Sequence, residues 1–372
     1  MPMKETFARR IIRWQRRHGR HHLPWQGTRD PYRIWVAEIM LQQTQVATVI
    51  PYYQRFIARF PDVYALAAAE EEAVLAHWSG LGYYARGRNL HRAARVVVER
   101  YGGHFPSQPD ALAALPGMGR STAAAVAVFA YGVRAAILDG NVKRVLARHA
   151  GVDGWPGEKS VENRLWRIAE ARLPSRNVEA YTQGLMDLGA LLCTRRPDCG
   201  RCPVSADCVA LAQGRVAELP TPRPARALPE REVAVLVLTD GNAVLLEKRP
   251  PTGVWGGLWS LPEGAPGEDA ASAARRLGYG AGEWRELAPL THTFTHFRLR
   301  LLPRVVRVSR NPGVCEPGRL WLPWTEVRRA ALPSPVLRLL VAVSREEREG
   351  SASAGDEAGT KGTAKSAAGG AD

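Results

Sequence analysis

LPGMGRSTAAAVAVFAYG, residues 115–132, decides how the first half of this 372-residue chain must fold. Gly117 and Gly119 punctuate a turn that opens straight into an Ala/Val-rich helix. Glycine allows backbone conformations in which neighbouring amide N–H groups point outward together, and the helix start adds the positive end of its dipole. Such a turn is an anion site suited to a phosphate. A tight turn between two packed helices is the alternative reading of the same residues. Outward from this stretch, residues 5 to about 212 keep helical apolar spacing. DVYALAAAEEEAVLAHWSG, NLHRAARVVVERYG and SVENRLWRIAEARL each repeat every three to four residues and run into Gly or Pro. The turn and helix at 115–132 thus form the hairpin element of a helix–hairpin–helix module.

Two carboxylates stand out. Asp139, in AAILDGNVKRVLARH, lies twenty residues past Gly119, after an apolar run and before a helix starting near Asn141. It reads as a helix N-cap, and equally as a rigid carboxylate placed to face a developing positive charge. Glu38 is the one acidic residue of RIWVAEIMLQQTQVATVIP. Flanked by Val36, Ala37, Ile39, Met40 and Leu41, it is either desolvated, with a raised pKa suiting a general acid, or turned to solvent on a polar stripe. Gln42, Gln43 and Thr44 follow it as groups that can bond to bases.

Cys193, Cys199, Cys202 and Cys208 fall within sixteen residues as C-x5-C-x2-C-x5-C. Zinc ribbons usually bring two C-x-x-C pairs; the single pair here suits the wider cage of an iron–sulfur cube, with zinc and free thiols as alternatives. The fifth cysteine, Cys315, reads as a packed side chain. An odd count without a secretory leader argues against disulfides.

After the cysteines, GRVAELPTPRPARALPERE reads as an extended linker, and then the period changes. REVAVLVLTDGNAVLLEKRP predicts a hairpin around Asp240-Gly241; FRLRLLPRVVRV and RLWLP predict more strands, and EDAASAARRLG a helix. The expected organisation is an all-α unit over 1–214, with a six-helix module at about 24–133 and a cluster subdomain from 1–23 and 134–214. A linker at 215–230, an α+β unit at 231–345 and a disordered tail at 346–372 complete it. The chain carries 51 Lys+Arg against 36 Asp+Glu, a formal charge of +15. A body that basic expects a polyanion, nucleic acid above all. No run of eighteen apolar residues suggests a membrane span. The first helix predicts Phe7, Ile11, Ile12 and Trp14 inward, and the expected setting is intracellular.

LPWQ, EIMLQQTQVATVIPYYQRF, GLGYYARGRNLH, LPGMGRSTA, ILDGNVKRVLAR, MDLGALLC and the cysteine loop together resemble the MutY family of adenine DNA glycosylases. That family belongs to the helix–hairpin–helix base-excision superfamily, and the likeness spans about residues 5–345. It implies a monomer that acts on double-stranded DNA and hydrolyses the N-glycosidic bond of adenine opposite 8-oxoguanine or guanine after flipping the base. It implies Glu38 as the acid at adenine N7, Asp139 as the carboxylate facing an oxocarbenium-like sugar, and Asn141 as support in the same turn. Trp25, Leu41 and Gln183 match residues contacting the flipped adenine. Gln43 and Tyr83 match residues wedged into the duplex, with Thr44 beside them, and Gly117 and Gly119 match the phosphate hairpin. A 4Fe–4S cluster on the four cysteines is implied, as is a cytoplasmic, nucleoid-associated setting if the source is bacterial.

GVWGGLWSLPEG and the hairpin before it resemble a Nudix fold, but EDAASAARRLGYG lacks the glutamates of the hydrolase box. A lesion-recognition module is implied, with His292, Phe294, Thr295 and His296 near the 8-oxoguanine. Two departures from the family pattern stand out: five residues rather than six separate the first two cysteines, and Thr295 replaces the usual Ser. Ser121 stands where the related endonuclease III family carries a nucleophilic Lys, which implies a mainly monofunctional enzyme. Lys143 is expected at a phosphate. The competing classes are a bifunctional glycosylase–lyase, disfavoured by Ser121, and a catalytically silent DNA-binding protein, disfavoured by the two carboxylates.

Overall fold

The computed structural model describes residues 5–225, 227–265, 267–309 and 317–359. The chain divides into two compact units, Met1–Val74 with Ala85–Arg226, and Leu75–Tyr84 with Ala227–Asp372. Cys315 lies outside the described residues.

Helices build the first unit: α1 (Phe7–His18), α2 (Pro31–Leu41), α3 (Val46–Arg59), α4 (Val63–Ala68), α5 (Glu71–Trp78, whose end belongs to the second unit), α6 (Ala85–Tyr101) and α7 (Pro109–Ala113). They continue as α8 (Arg120–Tyr131), α9 (Gly140–Ala150), α10 (Lys159–Ala171), α11 (Val178–Leu191) and the short α12 (Val209–Ala212). Local chemistry sets their ends. Asp30 caps α2 by accepting from the Tyr32 amide at 2.9 Å, with Pro31 at the first helical position. Gly132, at φ 68°, ends α8 in the left-handed region, and the Val133 amide closes the turn onto the Ala127 carbonyl at 3.2 Å. The chain then runs extended to Asp139, which caps α9 through the Val142 amide at 2.8 Å. As the spacing predicts, α1 buries Ile11, Ile12 and Trp14, and it packs on α11. One core gathers these side chains with Leu138, Val145, Leu165, Tyr181 and Leu188.

The second unit holds a mixed sheet of β1 (Glu230–Thr239), β2 (Ala243–Lys248), β3 (Trp259–Ser260), β4 (Gly280–Glu286), β5 (Leu290–Thr293), β6 (Arg298–Ser309) and β7 (Arg319–Pro323). The order is β3-β2-β1-β6-β4, with β5 on β6 and β7 on β2. The predicted hairpin is β1–β2, with Gly241 at φ 99° in its turn. β1 and β6 run parallel, in register from Glu230↔Arg298 to Thr239↔Arg307. Helices α13 (Ala270–Arg276) and α14 (Ser334–Gly359) complete it.

Three expectations need correction. Residues 75–84, read as part of the all-α unit, pack with the second one: Ser79 Oγ and Tyr84 Oη both donate to the Leu332 carbonyl at 2.9 Å. The start of the linker is packed, not free: Leu219 is buried and its carbonyl accepts from Arg148 Nε at 2.6 Å. The tail read as disordered from 346 continues as helix to Gly359, where the Arg/Glu run after Ser344 consists of good helix formers; residues 360–372 lie outside the described residues.

Candidate active site

A cleft of about 1890 Å³ opens in the first unit. It is walled by α2, the 42–47 segment, the hairpin before α8, the start of α9, and α11. Glu38, Asp139, Asn141, Ser121, Gly117, Gly119, Trp25, Leu41, Gln43, Thr44 and Gln183 all line it. Arginines 16, 20, 29, 144 and 195 lie on its walls and supply positive charge around two central carboxylates.

Glu38 is partly buried in the cleft wall, and the charge that acts on it is that of Asp139. Burial, first, and then the Asp139 charge push its carboxyl up from 4.5 to about 8. Burial also raises Asp139, but donors oppose the rise: the Val142 amide, the Arg144 charge, and the amide and side chain of Asn141. No described group donates to the Glu38 carboxyl. When the pair holds one proton, these donors favour the anion on Asp139 and the proton on Glu38.

The surrounding bonds make Asp139 rigid. Ser121 Oγ accepts from the Leu138 amide at 2.9 Å, which pins the extended segment entering the cap. Arg144 Nη2 donates to Asn141 Oδ1 at 2.8 Å and to the Gly189 carbonyl at 2.7 Å, and its Nε donates to the Cys193 carbonyl at 2.6 Å. Gly189 is needed there, because a Cβ would meet Asn141 Cβ at 2.6 Å. Arg144 sits one helical turn after Asn141, a spacing that sequence alone displays.

Beside Glu38, Arg86 Nη1 caps the end of α2 through the carbonyls of Ile39 (2.9 Å), Met40 (2.8 Å) and Gln42 (2.5 Å), while Nη2 reaches Thr44 Oγ1 at 3.1 Å. This staple holds Gln43 in the left-handed region at φ 59°, a conformation few side chains adopt. Gln183 Nε2 donates to Asp187 Oδ1 at 2.9 Å. Asp187 is fully buried and also accepts from the Arg20 amide (2.9 Å) and Arg20 Nε (2.6 Å). Trp25 is buried edge-on against Tyr53 at 5.4 Å. Sequence reasoning passed over Arg86, Arg144 and Asp187. Asp187 had a signal, as a lone acid in the apolar LMDLGALL run, whereas Arg86 had none.

Other sequence candidates lie elsewhere. Lys143 is outside the cleft lining and pairs with Glu162 Oε1 at 2.7 Å. Tyr83, at φ 51° and 49% exposed, belongs to the second unit, as do His292, Phe294, Thr295 and His296. In that unit His292 and Phe294 meet edge to face at 4.6 Å, and Thr295 and His296 are exposed at the β5–β6 turn. Burial and the Arg338 charge lower the His292 pKa.

The four cysteines are free thiols around one cavity lined by Val145, Leu188, Leu192 and Val204. Burial raises Cys199 and takes Cys202 up to about 11, and the neighbouring thiols add to both rises. Buried Arg148 offers Nη1 to Cys193 Sγ at 3.4 Å while also bonding the Thr194 carbonyl at 2.6 Å. Among the described residues, no three His, Cys, Asp or Glu side chains converge to hold a single metal ion. Four soft donors, apolar walls and a guanidinium opposing anionic sulfur are a donor set that fits an iron–sulfur group.

A model of HhH-GPD superfamily base excision DNA repair proteins matches residues 36–171, and a NUDIX domain model matches 233–342. An adenine DNA glycosylase of Buchnera aphidicola is 33% identical over 91% of this chain and 97% of its own length; the rat adenine DNA glycosylase is 34% identical over 93% and 79%. The chain belongs to the adenine DNA glycosylase family. It is thus a base-excision repair enzyme, a hydrolase acting on glycosyl bonds of DNA. Among solved structures, a thermostable thymine-DNA glycosylase is similar over 56% of this chain and 95% of that chain, with 32% identity and a TM-score of 0.50. The NUDIX match falls within the second unit, and the long likeness to the adenine DNA glycosylases spans both matched regions. No described helix is long and apolar enough to cross a membrane.

Proposed function

We propose that this glycosylase removes adenine paired with 8-oxoguanine or guanine, leaving an abasic site. The observation that carries this reading is the Glu38–Asp139 pair at the centre of a cation-lined cleft, one carboxyl pushed up to about 8 and the other, also raised by burial, accepting bonds that favour its anion. Adenine must leave the stack to reach the cleft, and Trp25 and Leu41 offer it apolar walls while Gln183 offers amide bonds. Glu38 protonates N7, drawing electrons from the glycosidic bond. Asp139 stabilises the oxocarbenium-like sugar by charge, with Asn141 keeping it oriented. After the base departs, the Glu38 carboxylate takes a proton from the attacking water.

Gln43 and Thr44 act at the duplex beside the lesion pair, and the hairpin amides around Gly117 and Gly119 hold a phosphate. Ser121 offers no amine for a Schiff base, so the enzyme is mainly monofunctional. The Nudix-type unit reads the base opposite adenine through the turn at His292–His296. Cys193, Cys199, Cys202 and Cys208 hold a 4Fe–4S cluster, which when bound ties together the loop bearing Arg195, Arg196 and Arg201. We infer that the enzyme acts as a monomer and, if the source is bacterial, in the cytoplasm at the nucleoid.

The test is single-turnover adenine release from a duplex with one adenine opposite 8-oxoguanine, an A·T duplex as control, and products run with and without alkali. Release from the lesion pair alone, with breaks only after alkali, is the expected result. No release by cluster-loaded protein, or equal rates for Glu38→Gln and wild type, would overturn the catalytic reading.

A further inference from the structure

Four non-glycine residues among those described have a positive φ, and two of them, Asn177 and Trp255, both at 57°, lie outside the machinery assigned above; of these, Trp255 is the bulky one. A tryptophan in the left-handed region is rare, because its bulk gains nothing there that glycine or asparagine would not provide more easily. The surrounding loop is built to hold it. Gly253 and Gly257, at φ 86° and 75°, turn the chain on either side, and the Gly257 amide closes onto the Pro250 carbonyl at 3.0 Å. Gly256 passes so near Pro251 that a Cβ would meet its carbonyl oxygen at 2.6 Å. The Leu258 amide bonds the Trp255 carbonyl at 3.1 Å.

The half-buried indole of Trp255 packs on the β5–β6 turn, with its ring centre 5.8 Å from Phe294 and 6.0 Å from His292. Phe294 is stacked on buried Phe297 at 4.5 Å with planes 14° apart. Phe294 is therefore held from the core by Phe297 and on another side by Trp255. Thr295 and His296 are exposed: Thr295 Oγ1 and His296 Nδ1 meet at 3.4 Å, and the His296 ring lies 4.8 Å from Phe297 and 6.3 Å from Phe294. Their position follows that of the Phe294–Phe297 stack.

We propose that Trp255 is a positioning residue for lesion recognition: its indole fixes Phe294 and His292, and through them the place of the Thr295 hydroxyl and His296 imidazole against the base opposite adenine. This rests on the reading above that the 292–296 turn discriminates 8-oxoguanine from guanine.

The experiment compares sub-saturating single-turnover rates on A·8-oxoguanine and A·guanine duplexes for wild type, Trp255→Ala, Trp255→Asn and Trp255→Phe, with unfolding temperatures alongside. Asparagine tolerates the positive φ, so it removes the ring while keeping the loop. The expected result is that the ratio of the two rates falls roughly tenfold for Ala and Asn, the worth of one well-placed hydrogen bond. Phe, which restores a ring against Phe294, recovers most of it. A wild-type ratio in both Ala and Asn variants overturns the role of Trp255 while leaving the lesion reading intact. A uniform fall on both duplexes, tracking a loss of thermal stability, also overturns it by marking a merely structural side chain. A wild type that treats both duplexes alike overturns the lesion reading, and this proposal with it.

Discussion

The Asp139 charge is one of two causes that hold the Glu38 proton to about pH 8, so the cap of α9 tunes the acid carried by α2. One segment thus performs two tasks. The carboxylate that starts the helix also sets the charge its neighbour must work against. The consequence is a rate that depends on both titrations. Base excision should fall about tenfold per pH unit above about 8, as Glu38 ionises. It should fall again in acid, as Asp139, raised by burial, takes up a proton. A single-turnover pH profile checks this, and Glu38→Gln should lose about 10²- to 10⁴-fold with no alkaline limb.

Stability should carry the opposite sign from activity at this residue. The native pKa of Glu38 lies above its ordinary 4.5, so between about pH 4.5 and 8 the folded state binds more protons than the unfolded one. Its contribution is full below the unfolded value and is lost as pH rises through the native one. Glu38→Gln should therefore gain stability relative to wild type across that window, reaching about 2 kcal/mol above pH 8 once solvent in the cleft is allowed for. Urea unfolding of both proteins at pH 5 and pH 8.5 tests it: the difference should grow with pH.

Ser121 has a structural bond as well as a chemical absence. Its hydroxyl satisfies the Leu138 amide just before Asp139. Ser121→Ala should cost about 1 kcal/mol or more and slow excision, because the unpaired amide loosens the Asp139 cap. Ser121→Lys should lose the same bond but place an amine near the sugar carbon. Strand breaks without alkali, and a borohydride-trapped covalent adduct on gel, are the expected outcome. An absence of trapped adduct would show that this hairpin position does not face the sugar.

Much of the site was legible because its residues break a local pattern. Glu38 interrupts an apolar helix, Asp139 precedes a helix after an apolar run, and the glycines punctuate a turn; each violates periodicity and so announces itself. The helical unit, the β1–β2 hairpin and α13 followed from apolar spacing and turn chemistry in the same way. Arg86 was invisible for the converse reason: its four bonds to Ile39, Met40, Gln42 and Thr44 join segments more than forty residues apart, and an Arg on a polar helix is unremarkable in sequence. Lys143 is near Asp139 in sequence but outside the cleft lining, because sequence nearness says nothing of direction; its ammonium meets Glu162. Residues 75–84 were assigned by continuity of helical spacing, which cannot reveal which of two units a segment packs on. The end of the chain was read by its overall composition, and the helix-forming run at its start was averaged away.

The cysteine cavity predicts iron stoichiometry. Protein isolated without oxygen should hold about four iron atoms and as many sulfides per chain, and no stoichiometric zinc. Cys199→Ala should lower both, along with visible absorbance, and expose the 194–207 loop to protease, since its packing rests on thiols around an apolar cavity. One zinc per chain with no iron would replace the cluster assignment with a single-ion site.

Gln183 reaches the cleft from α11 through a partner that is buried at a cost. Asp187 is fully buried, and the Arg20 guanidinium is its only described countercharge, with Arg20 itself partly exposed on the cleft wall. Removing one partner of a buried pair leaves an uncompensated charge. Arg20→Met should therefore destabilise the enzyme by about 3 kcal/mol, whereas the double variant Arg20→Met with Asp187→Leu should recover much of that loss. Excision should separate from stability. In the double variant Gln183 loses its Asp187 acceptor, so its amide is free to rotate and adenine release should slow by about tenfold while the fold is retained. Chemical unfolding and single-turnover release on the three proteins test the two halves independently. Full activity in a stable double variant would show that Asp187 serves packing alone and does not orient Gln183.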